Sequence, residues 1–286
     1  TEGHPGHVGH SCRRTGEARE DRTSEVPRMS DPQVSVFPDT DAVARAVAGE
    51  FVLRLLGIQA RRGRVSAVLT GGGIGTAMLT AVADDPDAPR VDWSRVALWW
   101  GDERYLPDGD AERNETGARE ALSRWRSADG GGLDPAEVHP MPSSDGPSGG
   151  DVQRAVTEYA AELAAASDID PGTVDGLPAL DVVLLGIGPE GHVASLFPPG
   201  TTGGRVEDPT PGVIAVTDSP KPPPVRTTLT LGALNSADEV WLLATGDAKA
   251  EAVATALRDP GATPAGQVTG RRVTRWWLDE AAATKL

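Results

Sequence analysis

The sequence predicts an α/β fold: a doubly wound, mostly parallel sheet with helices on both faces. Two observations predict it. Short apolar runs alternate, from Val34 almost to the C-terminus, with segments whose apolar residues recur at helical spacing. Glycine-bearing turns then follow three of those runs, at Gly71–Gly73, at Gly186–Gly191 and at Gly246, where a parallel strand hands over to the next element.

In chain order, residues 34–37 form a short strand. Asp39 or Thr40 caps a helix running to about Ile58, because Val43, Val47, Phe51, Leu55 and Ile58 fall on one helical stripe. Residues 65–69 form a buried strand, followed by Thr70-Gly71-Gly72-Gly73 and a helix from Ile74 to Ala83. The strand 96–100 leads into GDERYLPDGDAERNETGAREAL, with a helix over 115–125. Residues 127–150, rich in Gly, Pro and Ser, read as a surface loop. A helix over 152–166 precedes the apolar strand Val182-Val183-Leu184-Leu185. Residues 213–216, 227–231 and 239–244 read as strands and 247–257 as a helix. Residues 273–277 read as a last strand before a short C-terminal helix. No internal repeat is visible.

Composition narrows the function. The 286 residues carry a formal charge of −15, which repels nucleic acid and excludes a broad phosphate-backbone footprint. No apolar run approaches the ~20 residues that span a bilayer, and no charged segment leads an apolar core as in a secretory signal. The single cysteine, Cys12, excludes an intrachain disulfide and disfavours cysteine catalysis or a zinc site; a reducing cytoplasm fits. Residues 1–30, with His4, His7 and His10, read as a disordered extension, and 31–286 as one domain.

Scarce positive charge becomes informative on so acidic a chain. There are three lysines, Lys221, Lys249 and Lys285, so an anionic substrate needs specific cations gathered around it. Arg104 and its neighbours Asp102 and Glu103 follow a strand and so lie on the ligand edge of a parallel sheet. Arg104 there can clamp a phosphate bidentately, with Asp102 or Glu103 orienting it. Lys221-Pro222-Pro223-Pro224-Val225-Arg226 sets two further cations at the ends of a stiff proline segment.

Of the five histidines, His192 alone follows a predicted strand and sits among glycines, at what reads as the start of a short helix. A histidine there can move a proton near neutral pH. Gly186-Ile187-Gly188-Pro189-Glu190-Gly191 matches the dinucleotide pattern G-x-G-x-x-G, but Pro198-Pro199 cuts short the helix it should open. Ser195 lacks a nucleophile elbow and reads as a helix-turn hydroxyl.

Four blocks in order resemble the 6-phosphogluconolactonases of the glucosamine-6-phosphate isomerase/6-phosphogluconolactonase family. They are Leu69-Thr70-Gly71-Gly72-Gly73, Trp100-Gly101-Asp102-Glu103-Arg104 with Pro107 and Asn114, residues 184–198, and residues 221–231. The resemblance spans residue 34 to the C-terminus. In the third block Ser195-Leu196-Phe197-Pro198 stands where the related deaminases continue with Asn-Glu-Pro. Two departures from the family pattern are Ile74-Gly75 after the first glycines and Glu190 in place of Asp. The resemblance implies a deaminase/ribose-5-phosphate-isomerase-like, Rossmann-like fold. It also implies hydrolysis of the small sugar-phosphate ester 6-phospho-D-glucono-1,5-lactone, a step of the pentose phosphate pathway, without cofactor or metal. His192 would be the general base and Glu190 its orienting partner. Gly72 and Gly73 would offer N–H groups to the oxyanion, and Arg104 and Arg226, helped by Lys221, would grip the phosphate. Asp102 and Asn114 would complete the substrate contacts. The alternatives are a deaminase/isomerase of amino-sugar phosphates on the same fold, and a non-catalytic sugar-phosphate sensor.

Overall fold

The computed structural model describes residues 31–201, 204–205 and 212–286. The expectations for residues 1–30 therefore lie outside the described residues. The chain order begins β1 (Gln33–Phe37), α1 (Thr40–Arg62), β2 (Val65–Leu69), α2 (Gly72–Ala83), β3 (Val96–Trp100), β4 (Asp102–Arg104) and α3 (Asn114–Ser123). It continues β5 (Val138–His139), α4 (Val152–Ser167), β6 (Val182–Gly186), β7 (Leu196–Phe197), β8 (Gly204–Arg205), β9 (Val213–Val216), β10 (Arg226–Leu229) and α5 (Leu231–Asn235). It closes β11 (Glu239–Ala244), α6 (Ala250–Arg258), α7 (Pro264–Gln267) and β12 (Val273–Asp279).

Seven strands form one sheet in the order β1-β12-β11-β6-β2-β3-β5, every adjacent pair parallel. The expected α/β class with a parallel sheet and packed helices is what the chain adopts. Strands β2 and β3 are buried at every position, as continuous apolar runs require when both faces are covered. Helix α1 shows how the helices dock. Asp39 caps it by accepting from the Ala42 N–H, and Gly63 ends it in the left-handed region at φ 77°. Its predicted stripe, Val43 to Ile58, is at most 2% exposed. Each such large side chain contributes about 1.5–3 kcal/mol by leaving water.

The strand order also fixes where a ligand belongs. From β2 the chain steps to β3 and β5 on one side; from β6 it steps to β11 and β12 on the other. The direction reverses between β2 and β6, and loops leaving their carboxyl ends diverge there to open a crevice. Those loops are residues 70–73 and 187–195, and the Gly186 N–H donates to Thr70 Oγ1 at 3.1 Å across the crevice floor.

Several expectations are corrected. The runs 213–216 and 227–231 do not join the parallel sheet: β9 and β10 form a separate antiparallel sheet in the order β4-β10-β9. Strand β10 stops at Leu229 because Thr230 caps α5, its side chain accepting from the Ala233 N–H. The 127–150 stretch is not wholly loop, since β5 within it pairs with β3 at the sheet edge. Residues 280–285 form turns in place of the expected C-terminal helix. After Gly246 comes a single 3-10 turn, Asp247–Lys249, before α6.

Candidate active site

The His192 loop differs most from expectation. No helix starts at His192. Residues 189–190 and 194–195 are turns, tied by isolated bridges pairing Ile187 with Val193 and Val193 with Leu196. The loop therefore offers no helix N-terminus to a pyrophosphate, which removes the structural basis of a dinucleotide site. One of its glycines, Gly188, makes room for the histidine instead. A Cβ on Gly188 would lie 1.9 Å from His192 Nδ1, so the ring occupies space that any other residue would fill. Ala194, two residues on, holds φ 48°, a conformation L-residues rarely adopt.

The ring of His192 packs on Phe197, centroids 4.7 Å apart, and its side chain is 15% exposed. Nδ1 is buried 3.0 Å from Glu190 Oε1, though not aligned as a hydrogen bond. Glu190 Oε2 accepts from Lys221 Nζ at 2.9 Å. Burial pushes the His192 pKa down to about 4; Glu190 opposes the shift and Lys221 adds to it. Burial works to raise the Glu190 carboxyl, but the Lys221 hydrogen bond and nearby positive charge outweigh it and the net shift is downward. The imidazole is thus neutral around pH 7, with an ionised carboxylate at Nδ1.

The candidate anion-binding side rests on the small antiparallel sheet. In β4, Asp102 and Arg104 line the crevice while Glu103 between them points the other way, as strand alternation requires. Buried Glu103 accepts from the N–H groups of Arg104, Asn114 and Glu115, at 2.7–2.9 Å, and so closes the N-terminus of α3, whose N-cap Arg113 supplies no side-chain bond. Burial raises the Glu103 pKa against those N–H bonds. This docks α3 so that Asn114 Nδ2 donates to the Asp102 carbonyl at 2.8 Å, while Asn114 Oδ1 accepts from Arg104 Nη1 at 2.9 Å.

Strand β10 runs antiparallel to β4 with Arg226 directly opposite Arg104 and Thr228 opposite Asp102. Two guanidinium-bearing residues facing each other across a strand pair repel in the absence of an anion. Arg226 is 4% exposed, and its Nε and Nη2 donate to the carbonyls of Pro223, Lys221 and Pro222 at 3.0–3.2 Å. Burial and the charge of Arg104 both lower its pKa, though Asp102 opposes the shift. The 221–223 segment that holds it is a bend with a cis Pro222–Pro223 peptide, not an extended polyproline spacer.

One cavity of about 440 Å³ unites these parts. Gly72, Gly73, Asp102, Arg104, Asn114, His192, Lys221 and Arg226 all line it. Glu190 does not, and reaches it through His192 and Lys221. The backbone of Gly72 begins α2 at φ 79°. A Cβ on Gly71 would come within 1.8 Å of Asn114 Oδ1, so the bare backbone of that turn lets Asn114 approach.

Two residues of the site are new. Lys249 lines the cavity, half-buried, its pKa lowered by burial and by Lys221. Its signal was present in the sequence: one of three lysines, three residues after a glycine that follows a strand. Ser195 is not a helix-turn hydroxyl; it is fully buried and its Oγ donates to Asp102 Oδ2 at 2.7 Å. That contact joins residues 93 positions apart and has no sequence signal.

The arrangement can take a proton at a neutral imidazole while holding an anion among four cations. The chain as a whole is similar to proteins named for one activity. Residues 38–277 match the family model for glucosamine-6-phosphate isomerases/6-phosphogluconolactonase. The chain is 49% identical over 263 residues to a 6-phosphogluconolactonase of Streptomyces coelicolor, covering 90% of this chain and 96% of that protein. It is 45% identical over 255 residues to one of Mycobacterium tuberculosis, covering 88% and 98%. The structure of 6-phosphogluconolactonase from Trypanosoma brucei superposes with a TM-score of 0.73 at 26% identity, covering 90% of this chain and 99% of that one. With its parallel sheet, its crevice at the β2/β6 reversal and these relatives, the chain belongs to the glucosamine-6-phosphate isomerase/6-phosphogluconolactonase family.

Proposed function

We propose that this protein, through one domain over residues 31–286, hydrolyses 6-phospho-D-glucono-1,5-lactone to 6-phospho-D-gluconate as a step of the pentose phosphate pathway. One observation carries the reading: a neutral imidazole shares a 440 Å³ cavity with Arg104, Lys221, Arg226 and Lys249. A lactone is an activated ester, so attack by water needs a base and an oxyanion site but no covalent nucleophile. The carboxylate of Glu190 beside Nδ1 favours the tautomer protonated there and leaves the Nε2 lone pair to the cavity. Nε2 takes a proton from water as its oxygen bonds to the lactone carbonyl carbon. The oxyanion is stabilised by N–H groups at Gly72 and Gly73, where α2 begins. Collapse breaks the bond to the ring oxygen, which receives the proton back from the imidazolium.

Arg104 and Arg226, opposite each other in β4 and β10, hold the 6-phosphate with help from Lys221 and Lys249 and fix the ring against His192. The lone Cys12 accords with a cytoplasmic location. Initial rates on freshly made lactone, coupled to 6-phosphogluconate dehydrogenase and corrected for spontaneous hydrolysis, test the reading. The expected result is enzyme-dependent 6-phosphogluconate release. A rate equal to the spontaneous one overturns it, and ammonia release from glucosamine 6-phosphate would place the chain among the deaminases.

A further inference from the structure

His192 and the arginines belong to different parts of the fold. His192 rides on a turn after β6 of the parallel sheet; Arg104 and Arg226 ride on the separate antiparallel sheet. Catalysis needs the base and the phosphate grip at a fixed span, because the phosphate positions the carbonyl for attack and a misplacement of about 1 Å can cost about 10²-fold. Something must set that span.

Ser195 lies at the far end of the His192 turn and is fully buried. Its Oγ donates to Asp102 Oδ2 in β4 at 2.7 Å. Its N–H donates to Thr228 Oγ1 in β10 at 3.2 Å. Arg226 Nη1 lies 3.5 Å from the same Oγ. The other oxygen of Asp102 lies 3.3 Å from Asn114 Nδ2, and Asn114 Oδ1 holds Arg104. A buried polar chain thus runs from Arg104 through Asn114, Asp102 and Ser195 to Arg226, and Ser195 is the member that belongs to the histidine turn.

We propose that Ser195 is a positioning residue for lactone hydrolysis: through its bond to Asp102 it ties the His192 turn to the phosphate-gripping strands and sets the distance between base and anion site. The inference rests on the lactonase reading above. Ser195 needs no nucleophilic role, since its hydroxyl is committed to a carboxylate away from solvent. A bond from a hydroxyl to a charged acceptor in a closed setting is among the stronger kinds, and the turn it anchors contains the left-handed Ala194, a conformation held only by its surroundings.

The test is a cycle of Ser195→Ala, Asp102→Ala and the double variant, assayed on 6-phosphogluconolactone and on unphosphorylated glucono-1,5-lactone. Ser195→Ala is expected to lower kcat/KM for the phosphorylated lactone by about 10–100-fold while changing that for the unphosphorylated lactone less than about 3-fold, because the span matters only when the phosphate is gripped. In the Asp102→Ala background, Ser195→Ala should add less than about 3-fold, since coupled residues are not additive. Equal losses on both lactones, or the same loss in both backgrounds, would make Ser195 a packing residue and overturn the proposal. So would full activity of Ser195→Ala. If Ser195→Ala unfolds, Ser195→Cys, which keeps the size and weakens the donor, is read in its place against the same thresholds. Lack of lactonase activity in the unsubstituted protein is a separate result, and it counts against the reading of function.

Discussion

Glu190 Oε1 lies 3.0 Å from His192 Nδ1, and the second oxygen of the same carboxylate accepts from Lys221 at 2.9 Å. One carboxylate therefore faces both the proposed base and one cation of the proposed anion site. It steadies the imidazole and partly neutralises Lys221, which would otherwise depress the imidazole further. Four expectations follow from this relationship and from the site around it.

His192→Ala should lower kcat by about 10²–10⁴-fold, the usual contribution of a general base, with KM changed little. Steady-state kinetics on fresh lactone measure both. A variant retaining near-full kcat would remove the imidazole from the reaction.

The acid limb of kcat should fall near pH 4, because only neutral His192 accepts a proton and burial has lowered its pKa to about 4. Glu190→Gln removes a charge that raises this pKa, so the limb should move to lower pH. Lys221→Met removes one that lowers it, so the limb should move up. Profiles of kcat from pH 3.5 to 8 check the two opposite displacements. Stability carries the same sign: between pH 6.5 and 4 the unfolded chain binds a proton at this histidine that the folded chain refuses. The fold therefore loses up to about 3 kcal/mol as pH drops through that window. Denaturant midpoints of His192→Gln should lack this loss.

Arg104→Ala should raise KM for the phosphorylated lactone at least about tenfold, the loss of one charge-assisted contact of about 1.5–3 kcal/mol. Its effect on glucono-1,5-lactone should be slight. Asn114→Ala should follow in the same direction and to a smaller extent, since Asn114 Oδ1 holds Arg104 Nη1 at 2.9 Å. Comparing the two substrates separates the phosphate grip from the chemistry.

Gly188→Ala should lower kcat more than it raises KM. Its Cβ would meet His192 Nδ1 at 1.9 Å, so either the ring or the turn must move. Gly150→Ala, just before α4 and outside the cavity, at a position where a Cβ meets nothing within 4 Å, should be far milder. Kinetics of the two variants side by side, with thermal melts to exclude unfolding, give the comparison.

The sequence by itself determined the parallel sheet and most of the residues that line the candidate site. Runs such as Val65–Leu69 and Val182–Leu185 can be satisfied only between two covering layers, and the glycines after them mark the crevice. His192, Arg104, Lys221 and Arg226 were legible because titratable or positive groups are rare near those turns in so acidic a chain. Local pattern could not decide partners. Strand β10 reads like any strand, yet it joins β4 in a separate sheet, and pairing is a property of distant segments. The helix expected at His192 gave way to a turn because the His192 carbonyl accepts from the Gly188 N–H behind it, and Val193 bridges both Ile187 and Leu196. Ser195 and Asp102, far apart in the chain, meet only once the β6 turn packs over β4 and β10. Lys249 enters the cavity only because a 3-10 turn follows Gly246. Composition and spacing determine which chemistry a chain carries. The distances at which its groups meet are decided by long-range packing, which one-dimensional periodicity does not encode.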